Sequence, residues 1–171
     1  MALRPEQPQD HAAVDAVVRQ AFGDDRVPGL VAALRPATLS LVAEEAGEVV
    51  GHIMFSPCLL DAPARLVEVQ TLSPLSVAPK WQRRGIGSAL IEAGLRELDS
   101  RGVPLVFLEG DPRYYSRVGF TAGGDHGFRK PSLRIPDQAF QVVRLSAYES
   151  WMTGTFVYSS VFWEHDCVGL R

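Results

Sequence analysis

The chain has 171 residues, 46% hydrophobic and 22% charged, with 17 Lys and Arg against 20 Asp and Glu. That length suits one domain, and burying about 70% of the unfolded surface gives a core that needs no disulfide or metal staple. The composition excludes a disordered tail, a collagen-like fibre and a small disulfide scaffold. The net charge of −3 argues against a dedicated nucleic-acid binder, which carries a net basic face.

The first eight residues are polar, with no secretory h-region. No apolar run approaches the ~18 residues of a membrane span, so a cytoplasmic protein without membrane contact is expected. Leu3-Arg4 reads as a short strand. Asp10 is placed to N-cap a helix whose apolar face carries Val14, Val17, Val18, Ala21 and Phe22, and Gly23 is placed to end it. Pro28 is placed to open a second helix carrying Leu30, Val31 and Leu34. Two alternating runs, 39–44 and 49–56, flank the turn signal Ala46-Gly47 and predict a hairpin. A strand over 66–77 follows, and Pro74 inside it predicts a bulge or splay, because proline gives no hydrogen to a ladder. Ile86, Leu90, Ile91, Leu95 and Leu98 mark a helix that closes at Arg101-Gly102. The apolar run 103–108 suits a central strand, parallel to 66–77 through a βαβ crossover. A short helix over 112–118, a strand after Gly119-Phe120 and a long strand over 139–145 come next. The last twenty-five residues, with Trp151, Phe156, Tyr158, Phe162 and Trp163, predict a strand or two packed on the body.

The informative segment joins the 66–77 strand to the helix after it. Gly85 and Gly87 allow close approach of backbone to a ligand. The helix start offers unpaired amide hydrogens and the positive dipole end. Lys80, Arg83 and Arg84 add positive charge, and together these make a phosphate site. A P-loop would need Gly-Lys-Ser/Thr, which is absent. A dinucleotide fingerprint would need Gly or Ala where Leu90 stands. The pattern Gln/Arg-x-x-Gly-x-Gly/Ala is met at every fixed position by Gln82-Arg83-Arg84-Gly85-Ile86-Gly87.

In this context the run over 72–90 resembles the pyrophosphate-binding motif of the GNAT superfamily of acyl-CoA-dependent N-acetyltransferases. Gly110-Asp111-Pro112-Arg113-Tyr114-Tyr115-Ser116-Arg117-Val118-Gly119-Phe120 resembles that superfamily's Tyr-x-x-x-Gly-Phe element. The Gly-Asp-Pro-x-Tyr-Tyr form is similar to a bacterial subgroup of uncharacterised N-acetyltransferases. The resemblance covers 3–145. It implies an α/β (α+β) fold with a mixed, mostly antiparallel sheet, a central splayed parallel strand pair and flanking helices. One N-acetyltransferase domain over 1–171 is expected, with 146–171 as a C-terminal strand extension.

The resemblance implies transfer of an acetyl group from acetyl-CoA directly to a primary amine, through a tetrahedral intermediate and without a metal. Leu75, Ser76 and Val77 would meet the pantetheine through main-chain groups, and Gln82, Arg83, Arg84, Gly85, Ile86, Gly87 and Ser88 would hold the pyrophosphate. Tyr115 stands at the family's general-acid position. A phenol of pKa about 10 stays protonated at neutral pH and can donate to a departing thiolate. Tyr114 is expected to point into the core. Glu68, before the proline, and Glu109, at the end of the next strand, are the candidate bases. His165 with Glu164, Asp166 and Cys167 fits no zinc spacing and reads as a surface segment, and Cys58 and Cys167 form no redox motif. A small-molecule or a peptide or protein amine stands open as acceptor, as does a homodimer. A non-catalytic acyl-CoA-binding sensor is the competing reading, and retention of Tyr115 counts against it.

Overall fold

A computed structural model describes residues 1–169. In chain order its elements are β1 (Ala2–Pro5), α1 (His11–Phe22), α2 (Arg26–Leu34), β2 (Leu39–Glu45), β3 (Glu48–Asp61), β4 (Leu66–Val77), α3 (Ile86–Ser100), β5 (Leu105–Glu109), α4 (Pro112–Tyr115), β6 (Thr121–Ala122), β7 (Phe128–Arg129), β8 (Phe140–Arg144), β9 (Gly154–Val157) and α5 (Ser160–Glu164). This is a mixed α/β fold: a mostly antiparallel open sheet, the parallel pair β4–β5, and flanking helices. A second, two-residue parallel pairing joins β7 to β9. The chain divides into two compact units, one of Met1–Ser56 with Leu72–Glu97, the other of Pro57–Thr71 with the chain from Leu98 on.

In the first unit β1, β2 and β3 pair antiparallel, with a bulge at Ala43/Glu44. Helix α1 buries Val14, Val17 and Val18 and ends on Gly23, whose φ of +75° lets its N–H return to the Arg19 carbonyl at 2.8 Å. Asp10 does not cap α1 with its side chain. Its carboxylate accepts from the Arg4 guanidinium at 2.7 and 3.0 Å and from the Gln7 amide at 2.7 Å. A charge-assisted pair of bonds outcompetes one cap bond. Helix α2 starts two residues before Pro28, after the Asp24 carboxylate takes the Arg26 amide at 3.1 Å. Proline is tolerated there because the first turn's amides have no partner inside the helix. In α3, Gly94 lies so close to Phe55 that a Cβ would overlap the ring.

In the second unit β4 meets β5 in parallel at Gln70↔Val106 and Thr71↔Phe107. Antiparallel β8 lies on the far edge of β5, with β6 beyond it. Strand β9 pairs antiparallel with the end of β3. The core centres on Phe107, whose ring stacks on Phe156 at 4.5 Å and Phe140 at 5.7 Å and meets Phe128 edge-on at 5.2 Å. The expected C-terminal strands resolve into one strand, β9, and one helix, α5. Residues 170–171 of the expected extension lie outside the described residues.

Candidate functional site

The glycine loop belongs to the first unit. Strand β4 runs unbroken through Pro74 to Val77. Leu75 and Val77 are half-buried, while Ser76 is buried and its Oγ has no hydrogen-bond partner. The chain then turns through Ala78, whose amide bonds to the Val50 carbonyl at 2.8 Å, and through Pro79–Trp81. Gln82 folds back, donating from Nε2 to the Val77 carbonyl at 3.1 Å. Arg83 and Gly85 both have positive φ, +62° and +81°. A Cβ at Gly85 would meet nothing within 4 Å, so the space over this glycine is open. The first α-type bond runs from the Ala89 amide to the Gly85 carbonyl, which leaves the amides before Ala89 without acceptors inside α3.

Charge is distributed unevenly around the loop. Arg84 stacks on the Trp81 ring at 4.9 Å. Lys80 reaches Glu48 at 3.8 Å. Arg83 is exposed and has no ion pair among the described residues. Ile86 and Gly87 are buried, and Ser88 is half-buried. An open glycine, free helix-start amides and an unpaired guanidinium suit a pyrophosphate.

Tyr115 belongs to the second unit, on the last residue of α4. The Asp111 side chain caps this helix, accepting from the Arg113 amide at 2.9 Å, and Pro112 supplies the first turn. The Tyr115 ring lies directly on Gly110. A Cβ on that glycine would sit 2.5 Å from ring carbon Cε2 and 2.9 Å from Cδ2. Gly110 is itself fixed by β8, since its amide bonds to the Ala139 carbonyl at 3.0 Å and its carbonyl accepts from Gln141 Nε2 at 3.0 Å. Phe120 meets the Tyr115 ring edge-on at 6.0 Å. Burial, then Tyr114, raises the Tyr115 pKa above its ordinary value, so the hydroxyl keeps its proton at neutral pH.

Tyr114 does not enter the core. It is 37% exposed and touches Tyr115 edge-on at 4.9 Å. Neighbours on a helical turn differ by about 100° in direction, so seating Tyr115 on Gly110 turns Tyr114 toward solvent.

The two candidate bases differ. Glu68 is exposed and lines a small cavity beside Cys58 and Tyr158. Glu109 is half-buried and held at both oxygens, by Tyr158 Oη at 2.6 Å and the Gly169 amide at 3.0 Å. Burial raises its pKa, against the pull of those two donors and of Arg134. A separate open cavity of ≈ 680 Å³ is lined by Ala122, Phe128, Leu133 and Phe140 with Asp125 and Arg129. Among the described residues no cluster of His, Cys, Asp and Glu has the makings of a metal site, and no helix is long and apolar enough to cross a membrane.

The motif that contains Gly110 assigns that glycine no task, and nothing in the sequence connects Tyr158 with Glu109. A glycine between a strand and a capped turn was the only signal for the first. Nothing in a 49-residue separation signals the second.

Fold and loop together define a CoA-ester-using transferase. A family model described as an acetyltransferase (GNAT) domain matches residues 2–123, and the chain belongs to the GNAT acetyltransferase family, enzymes that move acetyl groups to amines. It is 36% identical over 152 residues to the N-acetyltransferase YhbS of Escherichia coli strain K12, covering 85% of this chain and 88% of that one. The crystal structure of E. coli YhbS in complex with CoA matches with a TM-score of 0.85 and 34% identity, over 94% of this chain and 91% of that one. A Brucella melitensis GNAT family acetyltransferase in complex with acetyl-CoA matches with a TM-score of 0.77 and 35% identity, over 94% and 97%.

Proposed function

We propose that residues 1–171 act as one N-acetyltransferase domain that uses acetyl-CoA as the acetyl donor. The observation that carries this is the loop before α3, an open glycine over helix-start amides with an unpaired Arg83 beside it. The relatives crystallised with CoA and acetyl-CoA support it. Bound acetyl-CoA supplies an activated thioester. The Gly85, Ile86, Gly87 and Ser88 amides and the Arg83 and Arg84 guanidinium groups hold the pyrophosphate. Gln82, tied to the Val77 carbonyl, fixes the entry to the loop. Main-chain groups of Leu75, Ser76 and Val77 pair with the pantetheine.

Tyr115 Oη donates its proton to the leaving sulfur. A phenol that burial keeps protonated is suited to that task. Glu109 receives the acceptor amine's proton: it stands at the carboxyl end of β5, and burial raises its pKa above the ordinary carboxylate value, which makes it a better base. Exposed Glu68 is the second candidate. The apolar body of the acceptor, a small molecule or a peptide or protein amine, takes the cavity at Phe128, Leu133 and Phe140.

A thermal-shift series tests the reading. Acetyl-CoA at 100 times its Kd adds about 2.7 kcal/mol, which raises Tm by roughly 5–11 °C for a chain of this size. A shift with ATP or NAD but with no CoA ester refutes it. Thiol release across an amine panel then separates catalysis from a sensor, since a sensor binds acetyl-CoA and releases no thiol. Leu133→Ser should raise KM for the amine and leave that for acetyl-CoA unchanged.

A further inference from the structure

Glu109 ends strand β5, Gly110 follows it, and the two face opposite ways. Side chains alternate along a strand, so Glu109 shares a face with Phe107 and with its register partner Phe140, while Gly110 turns to the face on which Tyr115 rests. Glu109 is not left to solvent. Tyr158 Oη donates to Oε2 at 2.6 Å, within the range of charge-assisted O–H···O⁻ bonds. The Gly169 amide donates to Oε1 at 3.0 Å. Both donors come from the segment beyond β8.

Tyr158 is itself immobilised. It is 7% exposed, edge-on to Phe156 at 4.9 Å and tilted on Phe162 at 4.7 Å. A carboxylate oxygen accepts two bonds, so each oxygen of Glu109 keeps a lone pair for a second donor. The other charged or titratable groups facing this pair, among the described residues, are Arg134, Cys58 and Cys167, with exposed Glu68 on the cavity that Cys58 and Tyr158 line. Burial pushes the Cys58 thiol up to about 11, so it is neutral.

We infer that Tyr158 is a positioning residue: its hydroxyl fixes the Glu109 carboxylate in the orientation that receives the acceptor amine's proton. The inference rests on the reading of Glu109 as base. In the balanced step the amine nitrogen forms the C–N bond and passes its proton to Glu109. The C–S bond breaks, and the sulfur takes the Tyr115 proton. The aromatic C-terminal segment, which lies beyond the part of the chain that the family model matches, thereby acts on the reaction through the Tyr158 hydroxyl.

The test uses the full chain, an amine that the wild type acetylates, and kcat against pH. The Tyr158 hydroxyl stabilises the ionised carboxylate, so its loss raises the pKa of Glu109. Tyr158→Phe should move the acid limb of kcat up by about one pH unit, a tenfold loss of kcat below the limb. The KM and thermal shift with acetyl-CoA should stay at wild-type values. Glu109→Gln should abolish the limb and lower kcat by about a hundredfold. An unmoved limb in Tyr158→Phe, with Glu109→Gln inactive, overturns the positioning role and leaves the base assignment standing. Wild-type kcat in Glu109→Gln overturns the base assignment and the inference with it. Should Tyr158→Phe fail to fold, chain-wide 3-fluorotyrosine keeps the contact and makes the phenol a stronger donor. The acid limb must then move down, and a limb that stays or rises overturns the inference.

Discussion

Adding one methyl group at Gly110 separates the position of the Tyr115 ring from its presence. The Cβ of Gly110→Ala would stand 2.5 Å from ring carbon Cε2. Carbon atoms rest about 3.5–4.0 Å apart, so the ring must retreat by roughly 1 Å. Displacement of that order at a reacting group costs about a hundredfold in rate, near 2.7 kcal/mol of barrier. The stability cost should be smaller. Gly110 does not have positive φ, the ring is only half-buried, and a side chain that swings aside puts the overpacking cost near the low end, about 1 kcal/mol, or 2–4 °C in Tm. The assay is thiol release with kcat and KM resolved, alongside a melting curve. Gly124→Ala serves as the control for stability, since a Cβ there meets nothing within 4 Å, and its melting curve should match wild type. If Gly110→Ala keeps kcat within twofold while Tyr115→Phe is inactive, the ring's seat on Gly110 does not set the donor's position, and the reasoning fails.

Tyr115→Phe itself should lower kcat by about 10²–10⁴-fold and leave the acetyl-CoA thermal shift intact; undiminished turnover removes Tyr115 from the mechanism. Gly94→Ala should lower Tm by roughly 2–12 °C for an overpacking cost of about 1–3 kcal/mol, because its Cβ overlaps Phe55; a raised Tm, the usual result of Gly→Ala in a helix, would contradict the packing. His52 is fully buried, bonds through Nε2 to Ser40 Oγ at 2.9 Å and stands 3.5 Å from Glu6. Burial, partly offset by Glu6, lowers its pKa from 6.5 to about 4. The unfolded chain therefore binds the extra proton first, and unfolding free energy should fall as pH drops from 6.5 toward 4, by up to about 1.4 kcal/mol per pH unit. Denaturant titrations of His52→Gln should lack that part of the slope.

The loop was legible because its work is done by backbone, and glycine spacing records backbone directly. Gly85 at φ +81° is the conformation that such a glycine announces. Period alone marks α3 and most of the strands, but it ends β3 at 56, because the far end of that strand pairs over 59–61 with β9 nearly a hundred residues away. Side-chain partners were less legible. Asp10 had the type and place of a cap, yet Arg4 reached it first. Tyr114 and Tyr115 are chemically equal, and only the bare Gly110 decides which ring turns inward. The aromatic residues of the C-terminus suggest strands, but 160–164 coil into α5. This segment is tied to the candidate site by two hydrogen bonds to Glu109, from the Tyr158 hydroxyl and the Gly169 amide, which periodicity does not encode.

Arg83 holds a left-handed backbone, φ +62°, two residues before a glycine that does the same. For a residue with a Cβ that conformation costs about 1–2 kcal/mol. No ion pair among the described residues repays it. A strained residue at a ligand loop points to a use for its side chain, and the use proposed here is a cation beside a pyrophosphate. Arg83→Gly separates the two effects. It relieves the backbone strain while raising unfolded-chain entropy by about 0.4–1 kcal/mol, so Tm should hold or rise by a few degrees. A charge-assisted bond to a phosphate is worth about 1.5–3 kcal/mol, so Kd for acetyl-CoA should rise roughly ten- to a hundredfold, with a shallower salt dependence. Stability and affinity then move in opposite directions, which no general loosening of the fold produces. An unchanged Kd by calorimetry would mean that Arg83 does not touch the cofactor, and its backbone strain would need another cause.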